Sequence, residues 1–202
     1  TAGITMTPII FSPDVTADDQ PTEIVALVPS GAPRLCAFFD YEGMTDGVSW
    51  DAVWNINGEV SLGASAFEQQ WIGGSSGINW WVCATGGEGG LIDGVYEVSI
   101  LVNGELIVSN SAFVGSGYIE YPLTVTNTTN STVCFLRLSP DGAQNSGPDE
   151  LGPDTTIDIG ESVDLFVVGA LYDVFATDCD GNVVVEAYGI DLTTGGTLTL
   201  TP

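Results

Sequence analysis

Apolar and polar residues alternate along most of this chain, and no window longer than about ten residues carries a clean helical stripe. The clearest unit is the run 94–102, followed by Asn103-Gly104 and the run 105–108, which predicts two antiparallel strands around a type I′ turn. Asn and Gly suit that turn because both adopt positive φ at little cost. Residues 51–62 repeat the device around Asn57-Gly58. The pattern therefore predicts an all-β protein.

Further strand-like runs fill both halves of the chain. In the first half they are 4–11, 23–28, 35–41 and 78–85; in the second they are 121–127, 132–138, 155–157, 162–167, 171–177, 182–189 and 197–201. Small residues at 115–117 follow the last strand of the first half. We therefore predict two tandem immunoglobulin-like β-sandwich domains, residues 1–117 and 118–202, each with one intradomain disulfide.

The four cysteines fall two to a half. Cys36 and Cys83 lie 47 residues apart, and Cys134 and Cys179 lie 45 apart. Of the three possible connectivities, only 36 with 83 and 134 with 179 keeps each bridge within one half. Closing either loop would add roughly 4 kcal/mol by constraining the unfolded chain. Four reduced core thiols in a cytosolic protein are the alternative.

Charge and composition exclude several classes of function. The chain has 27 Asp and Glu, no His, and only Arg34 and Arg137 as cations, which gives a formal charge of −25. That charge repels nucleic acid, and His and Lys, which commonly serve as general acids or bases or activate a nucleophile, are missing. Paired carboxylates could hydrolyse a glycosidic bond, but nothing in the sequence selects a pair. We predict a non-enzymatic protein with no cofactor and no metal.

The predicted location is extracellular or at the cell surface. Paired cysteines persist in oxidising compartments, and no run approaches the roughly 20 apolar residues of a membrane span. The sequence begins at Thr1 rather than Met, which suggests a secreted protein whose signal peptide has been removed.

A set of motifs covers most of both halves: in the first half, residues 39–44, Trp54, Gly58, 94–98 and 103–105; in the second, 132–134, 138–140, 149–152, 160–162, 172–174 and 178–182. In these motifs the chain resembles β-sandwich modules of secreted proteins in filamentous Chloroflexus-type bacteria. No activity is established for that family. The resemblance implies location and architecture, not catalysis.

Three candidate binding features have plain structural alternatives. Asp178, Asp180 and Asn182 could offer oxygens to Ca²⁺, yet an ordinary hairpin turn has the same sequence. The tryptophans could stack on sugar rings, although core packing is the favoured interpretation; Trp50 and Trp71, in more polar surroundings, are the pair expected to be exposed if any are. Asn127 and Asn130 each begin an N-glycosylation sequon, although Thr-rich strand ends would also explain them.

The N-terminal run is the remaining candidate. It is apolar and strand-like, and its candidate donor residues are Ile4, Met6, Ile9, Ile10 and Phe11. The segment could pair within its own domain or extend a neighbour's sheet, and such head-to-tail contacts propagate into filaments. We therefore predict the self-associating subunit of a surface fibre or adhesive filament. A surface module that binds glycans, cells or proteins is the alternative.

Overall fold

The computed structural model describes residues 3–202, and the chain divides into two compact units. The first unit is Thr1–Gly117 together with Gly142–Asn145, and the second is Tyr118–Asp141 together with Ser146–Pro202. The described residues form strands, turns and loops with no helix, which confirms the all-β prediction. None of them belongs to a helix that is long and apolar enough to cross a membrane.

Ten strands form two sheets in the first unit. They are β1 (Thr5–Met6), β2 (Ile10–Ser12), β3 (Leu27–Val28), β4 (Arg34–Glu42), β5 (Ser49–Ile56), β6 (Glu59–Val60), β7 (Ala66–Gln70), β8 (Ser76–Thr85), β9 (Gly94–Val102) and β10 (Glu105–Val114). In the smaller sheet, β4 pairs with β1 and β2 along one edge and with β8 along the other. The larger sheet runs β3-β10-β9-β5, and β5 also pairs with β6 and β7.

The two sheets of the first unit share one apolar core. Phe39 and Tyr41 of β4 belong to the same buried cluster as Trp54 of β5 and Ile100 of β9. The two predicted Asn-Gly hairpins are confirmed, since Asn57 and Asn103 have φ of 53° and 51° and precede glycines that also have positive φ. These turns set the register of β5 with β6 and of β9 with β10.

Six strands form two three-stranded sheets in the second unit. They are β11 (Glu120–Asn127), β12 (Phe135–Pro140), β13 (Ser162–Val168), β14 (Leu171–Thr177), β15 (Val183–Asp191) and β16 (Gly196–Leu200). One sheet has the order β13-β11-β16, with β11 and β16 parallel, and the other has the order β12-β14-β15. Both sheets supply fully buried apolar residues, such as Leu123 and Val125 of β11 and Leu136 and Val174 of the other sheet.

Both disulfides join the predicted partners, Cys36 with Cys83 and Cys134 with Cys179. Cys36 and Cys83 are directly opposed on β4 and β8, and Cys134 and Cys179 flank the paired strands β12 and β14. Each bridge therefore staples neighbouring strands of one sheet. The immunoglobulin pattern instead has a bridge between two sheets, so the immunoglobulin-like part of the prediction is not confirmed.

Other strand predictions need correction. Residues 23–26 and 155–156 are not in strands, and β7 was not predicted. Residues 142–145, which the sequence analysis placed in the second domain, belong to the first unit.

Candidate functional site

The N-terminal segment forms two short strands on one edge of β4. Thr5 lies opposite Glu42, and Phe11 lies opposite Ala37. Between them the ladder is interrupted at Pro8, which has no N–H to donate. Thr7 bridges the break, because its N–H donates to the Asp40 carbonyl at 3.0 Å and its hydroxyl accepts from the Asp40 N–H at 2.9 Å. The predicted single strand is thus a pair of strands with a kink.

The kink keeps the apolar side chains on the core side. Ile4 and Met6, before Pro8, pack partly buried against the core, whereas Ile9 and Phe11, after it, are 1% and 2% exposed. Strict alternation from Met6 would have pointed Ile10 inward, but the irregular residues 7–9 shift the phase by one. Ile10 is therefore only half-buried and lies outside the core cluster.

Two contacts from the body of the unit hold the buried part of the segment. The Phe11 ring lies 6.3 Å from the Trp54 ring between centroids. The Asn110 side-chain amide donates to the Ile9 carbonyl at 2.7 Å, which satisfies an acceptor that the broken ladder leaves without a strand partner. The first part of the segment packs less closely against the rest of the unit. A surface concavity of about 420 Å³ lies beside it and is lined by residues 5–7, 40–42 and 76–78.

The strand that receives this segment is covalently fixed on its other side. Cys36 of β4 lies opposite Ser12 of β2 and also opposite Cys83 of β8, to which it is bonded. If the N-terminal segment left, the pairing of β4 with β8 would still be stapled. The edge of β4 that residues 4–11 occupy, called the slot below, is therefore held in place independently of the segment.

The loop that follows β2 is anchored at both ends. The buried Ser12 hydroxyl donates to the Asp14 carbonyl and accepts from the Thr22 N–H. Arg34 and Asp14 form an ion pair. This loop connects the segment to β3 and would have to move if the segment left its slot.

The tryptophan prediction was wrong about which residues are exposed. Trp50 is 8% exposed and Trp71 is 0% exposed, and Trp71 stacks with Trp80 and Tyr41 in the core of the first unit. Both rings belong to the buried core cluster of the first unit despite their polar neighbours in sequence. Trp81, at 38%, is the most exposed of the five tryptophans.

The two sequons differ in accessibility. The Asn127 side chain is 0% exposed; its amide donates to the Ser131 and Ile157 carbonyls, and its oxygen accepts from the Thr129 N–H and hydroxyl. A glycan cannot be attached to that nitrogen in the folded chain, so the prediction at Asn127 is corrected to a structural role. Asn130 is exposed, and its glycosylation stays a prediction.

Both carboxylate oxygens of Asp178 already accept hydrogen bonds from within the turn. One carboxylate oxygen accepts from the Asp180 and Asn182 N–H groups, and the Asn182 side chain donates to both oxygens. These hydrogen bonds, chiefly those from Asn182, lower the pKa of Asp178. The geometry is that of an Asx-type turn. Within residues 3–202 no group of three or more acidic, His or Cys residues is placed to hold a metal ion.

Sequence reasoning missed one buried acid. Glu97 on β9 is 1% exposed, and four N–H groups donate to its carboxylate: the Gln144 and Asn145 backbone at 2.8 Å, and the Asn145 and Asn55 side chains at 2.8 and 3.1 Å. Asn55 lies directly opposite Glu97 on β5. An acid that alternates with apolar residues on a strand ordinarily faces solvent, and no local signal identifies partners almost 50 residues away.

No family model, curated protein or solved structure matches this chain. The resemblance to modules of filamentous Chloroflexus-type bacteria therefore stays a prediction.

Proposed function

We propose that this chain is a non-enzymatic extracellular structural protein whose copies polymerise by exchanging their N-terminal strands. In the polymer, residues 4–11 of one copy occupy, on the next copy, the β4 edge that they occupy within their own unit here. The observation that carries the proposal is an edge segment with two core side chains, Ile9 and Phe11, on a strand that a disulfide keeps in place without it.

The energetics favour the same segment from another copy as the replacement. Burial of Ile9 and Phe11 contributes about 1.5–3 kcal/mol each, so a slot left empty is costly. A second copy offers identical side chains in an identical register. Pairing of the segment within its own chain and pairing with a second chain then make the same contacts. Protein concentration and strain in the loop after Ser12 decide which of the two forms.

Composition and compartment agree with a durable surface subunit. The two disulfides indicate an oxidising, extracellular-type environment. The chain has two potential tryptic cleavage residues, Arg34 and Arg137, and it lacks the His and Lys on which much acid/base and nucleophilic catalysis relies. Because donation is head-to-tail, each copy would be donor to one neighbour and acceptor to another, which gives an open filament.

The test uses cysteines at the register pair Thr5 and Glu42, which are opposed and exposed. Opposed positions on antiparallel strands lie within disulfide reach. Full-length Thr5→Cys and Glu42→Cys chains are mixed at high concentration under mild oxidation and separated without reductant. Strand exchange predicts covalent heterodimers between the two variants, and the double variant should give a ladder of covalent oligomers.

A matched pair inside the same unit provides the control. Ser49→Cys and Gln70→Cys are also opposed and exposed, on β5 and β7, but neither strand is proposed to exchange. Mixing these chains should give no heterodimer above background. If the mixed Thr5 and Glu42 single variants give no heterodimer above background, the double variant links only within one chain, and negative-stain images show dispersed monomers, strand donation is refuted.

A further inference from the structure

The outer face of the sheet β12-β14-β15 displays an aromatic surface to solvent. Phe135 is 39% exposed and Tyr188 is 63% exposed, and Phe175 between them is partly exposed. Phe175 and Tyr188 meet edge to face, with ring centroids 5.7 Å apart.

A polar row crosses the same face. Arg137 of β12 lies opposite Phe175 of β14, and Phe175 lies opposite Glu186 of β15. The Arg137 guanidinium carbon lies 5.9 Å from the centroid of the Phe135 ring, and the Tyr188 hydroxyl donates to the Glu186 carboxylate. The aromatic rings are thus flanked by a planar donor on one side and an acceptor on the other.

Arg137 is unusual in its surroundings. The chain has 27 carboxylates for two guanidinium groups, yet Arg137 forms no ion pair with any residue in the described part of the chain, whereas Arg34 does. Its five N–H donors remain available beside an exposed ring. An unpaired guanidinium stacked at an aromatic face can hydrogen-bond a ligand without first breaking a salt bridge.

We propose that this face of the second unit, formed by Phe135, Arg137, Phe175, Glu186 and Tyr188, binds a neutral polysaccharide chain. The C–H face of a sugar ring packs on Tyr188 and Phe135, while its hydroxyls accept hydrogen bonds from Arg137 and donate to Glu186. Three adjacent strands span about 10 Å, which accommodates roughly two sugar rings.

Charge selects a neutral occupant. Arg137 supplies one positive charge on this face, and Glu186 and Asp173, which lies two residues before Phe175 on β14, supply two negative charges, so the face does not attract an anion. The total charge of −25 repels anionic polymers. A polyol that both donates and accepts matches the local groups without a charge penalty. This inference is independent of strand exchange.

The full-length chain is titrated with soluble neutral oligosaccharides of glucose, mannose, galactose and xylose, and with a polyuronate, using calorimetry and amide NMR shifts. We expect binding of at least one neutral series with shifts confined to β12, β14 and β15. Tyr188→Ala and Arg137→Gln should each weaken binding about tenfold or more, and Tyr188→Phe should retain most of it, because the ring rather than the hydroxyl stacks.

The control is Phe166→Ala, since Phe166 is 75% exposed on the other sheet of the same unit. That variant should bind like the parent chain. The proposal is overturned if no neutral oligosaccharide binds, if only the polyuronate binds, or if Phe166→Ala weakens binding as much as Tyr188→Ala. The Thr5 and Glu42 cross-linking result should be the same with Arg137→Gln, so failure of either proposal is separately visible.

Discussion

The buried carboxylate of Glu97 gives a prediction that can be worked from its contacts. Each of its oxygens accepts two N–H groups: Asn145 supplies both on Oε1, and Gln144 and Asn55 supply those on Oε2. Glu97→Gln keeps the shape of the side chain but replaces one acceptor oxygen with an NH₂ donor. Whichever way the new amide is oriented, one backbone N–H, that of Gln144 or Asn145, faces another donor.

The expected cost follows from that mismatch. A buried donor left without an acceptor costs about 1–3 kcal/mol, and the remaining bonds lose their charge assistance. The substitution also removes a buried charge that has no cationic partner. This offsets part of the lost stability, because a buried carboxylate has a desolvation penalty of several kcal/mol. We expect a net loss of about 2 kcal/mol from the free energy of unfolding of the first unit.

Tryptophan fluorescence isolates the relevant transition. All five tryptophans lie between residues 50 and 81, within the first unit, so urea unfolding of the full chain followed at their emission reports that unit alone. The matched control is Glu59→Gln, an exposed acid on β6, which should change stability by less than about 0.5 kcal/mol. Hydrogen exchange at the Gln144 and Asn145 amides should accelerate in the Glu97 variant.

The reasoning is refuted if Glu97→Gln is as stable as the parent chain or more so. In that case the desolvation penalty of the carboxylate would exceed the value of its four hydrogen bonds. Unchanged exchange at the two backbone amides would lead to the same conclusion by a separate measurement.

Three further predictions concern other sites. Phe11→Ala should lower the unfolding free energy of the first unit by about 3–5 kcal/mol in the fluorescence assay, because it opens a core cavity, whereas Ile10→Ala should cost clearly less. Asn127→Ala leaves the buried Thr129 N–H without an acceptor and removes one of the two hydrogen bonds at each of the Ser131 and Ile157 carbonyls. It should destabilise the second unit by about 1–3 kcal/mol, while Asn130→Ala stays within about 0.5 kcal/mol; hydrogen exchange measures both. Glu150 is an exposed residue, yet desolvation of its carboxyl group, aided by a neighbouring carboxylate, raises its pKa to about 7. The pKa of the same group in the unfolded chain is about 4.3, so the folded state holds this proton more tightly. The second unit should therefore lose stability as pH rises from about 4.3 to 7. Glu150→Gln should flatten that loss when exchange is compared at pH 5 and pH 8, and an unchanged pH profile would contradict the assignment.

Local chemistry explains what the sequence could predict of the fold. Asn103-Gly104 specifies its turn through two residues with positive φ, and the flanking alternation specifies the paired strands. Long-range cysteine pairing was also predictable, since only one connectivity stays within each half. The placement of each bridge within one sheet was not, because strand order within a half is not written in the cysteine spacing.

Tertiary context decided the rest of the candidate sites. Trp71 has polar neighbours in sequence, yet the sheets enclose it; Glu97 alternates with apolar residues like a solvated acid, yet residues 142–145 cover it. Pro8 indicated a break in the N-terminal strand through its missing N–H, and this signal was present in the sequence. β7, Ala66–Gln70, lacks alternating apolar residues and was recognisable only by its pairing with β5.

The position of the two disulfides also has a mechanical consequence. A tensile load applied to the two ends of the polypeptide passes across each Cys–Cys bond and bypasses the intervening stretches, which span 47 and 45 residues. At about 3.4 Å per extended residue, the fully stretched oxidised molecule is about 300 Å shorter than the reduced one. Each stretch contains about half of the strands of its unit, five of ten and three of six, so a pulled molecule can extend only through the strands and connecting segments outside the stapled loops.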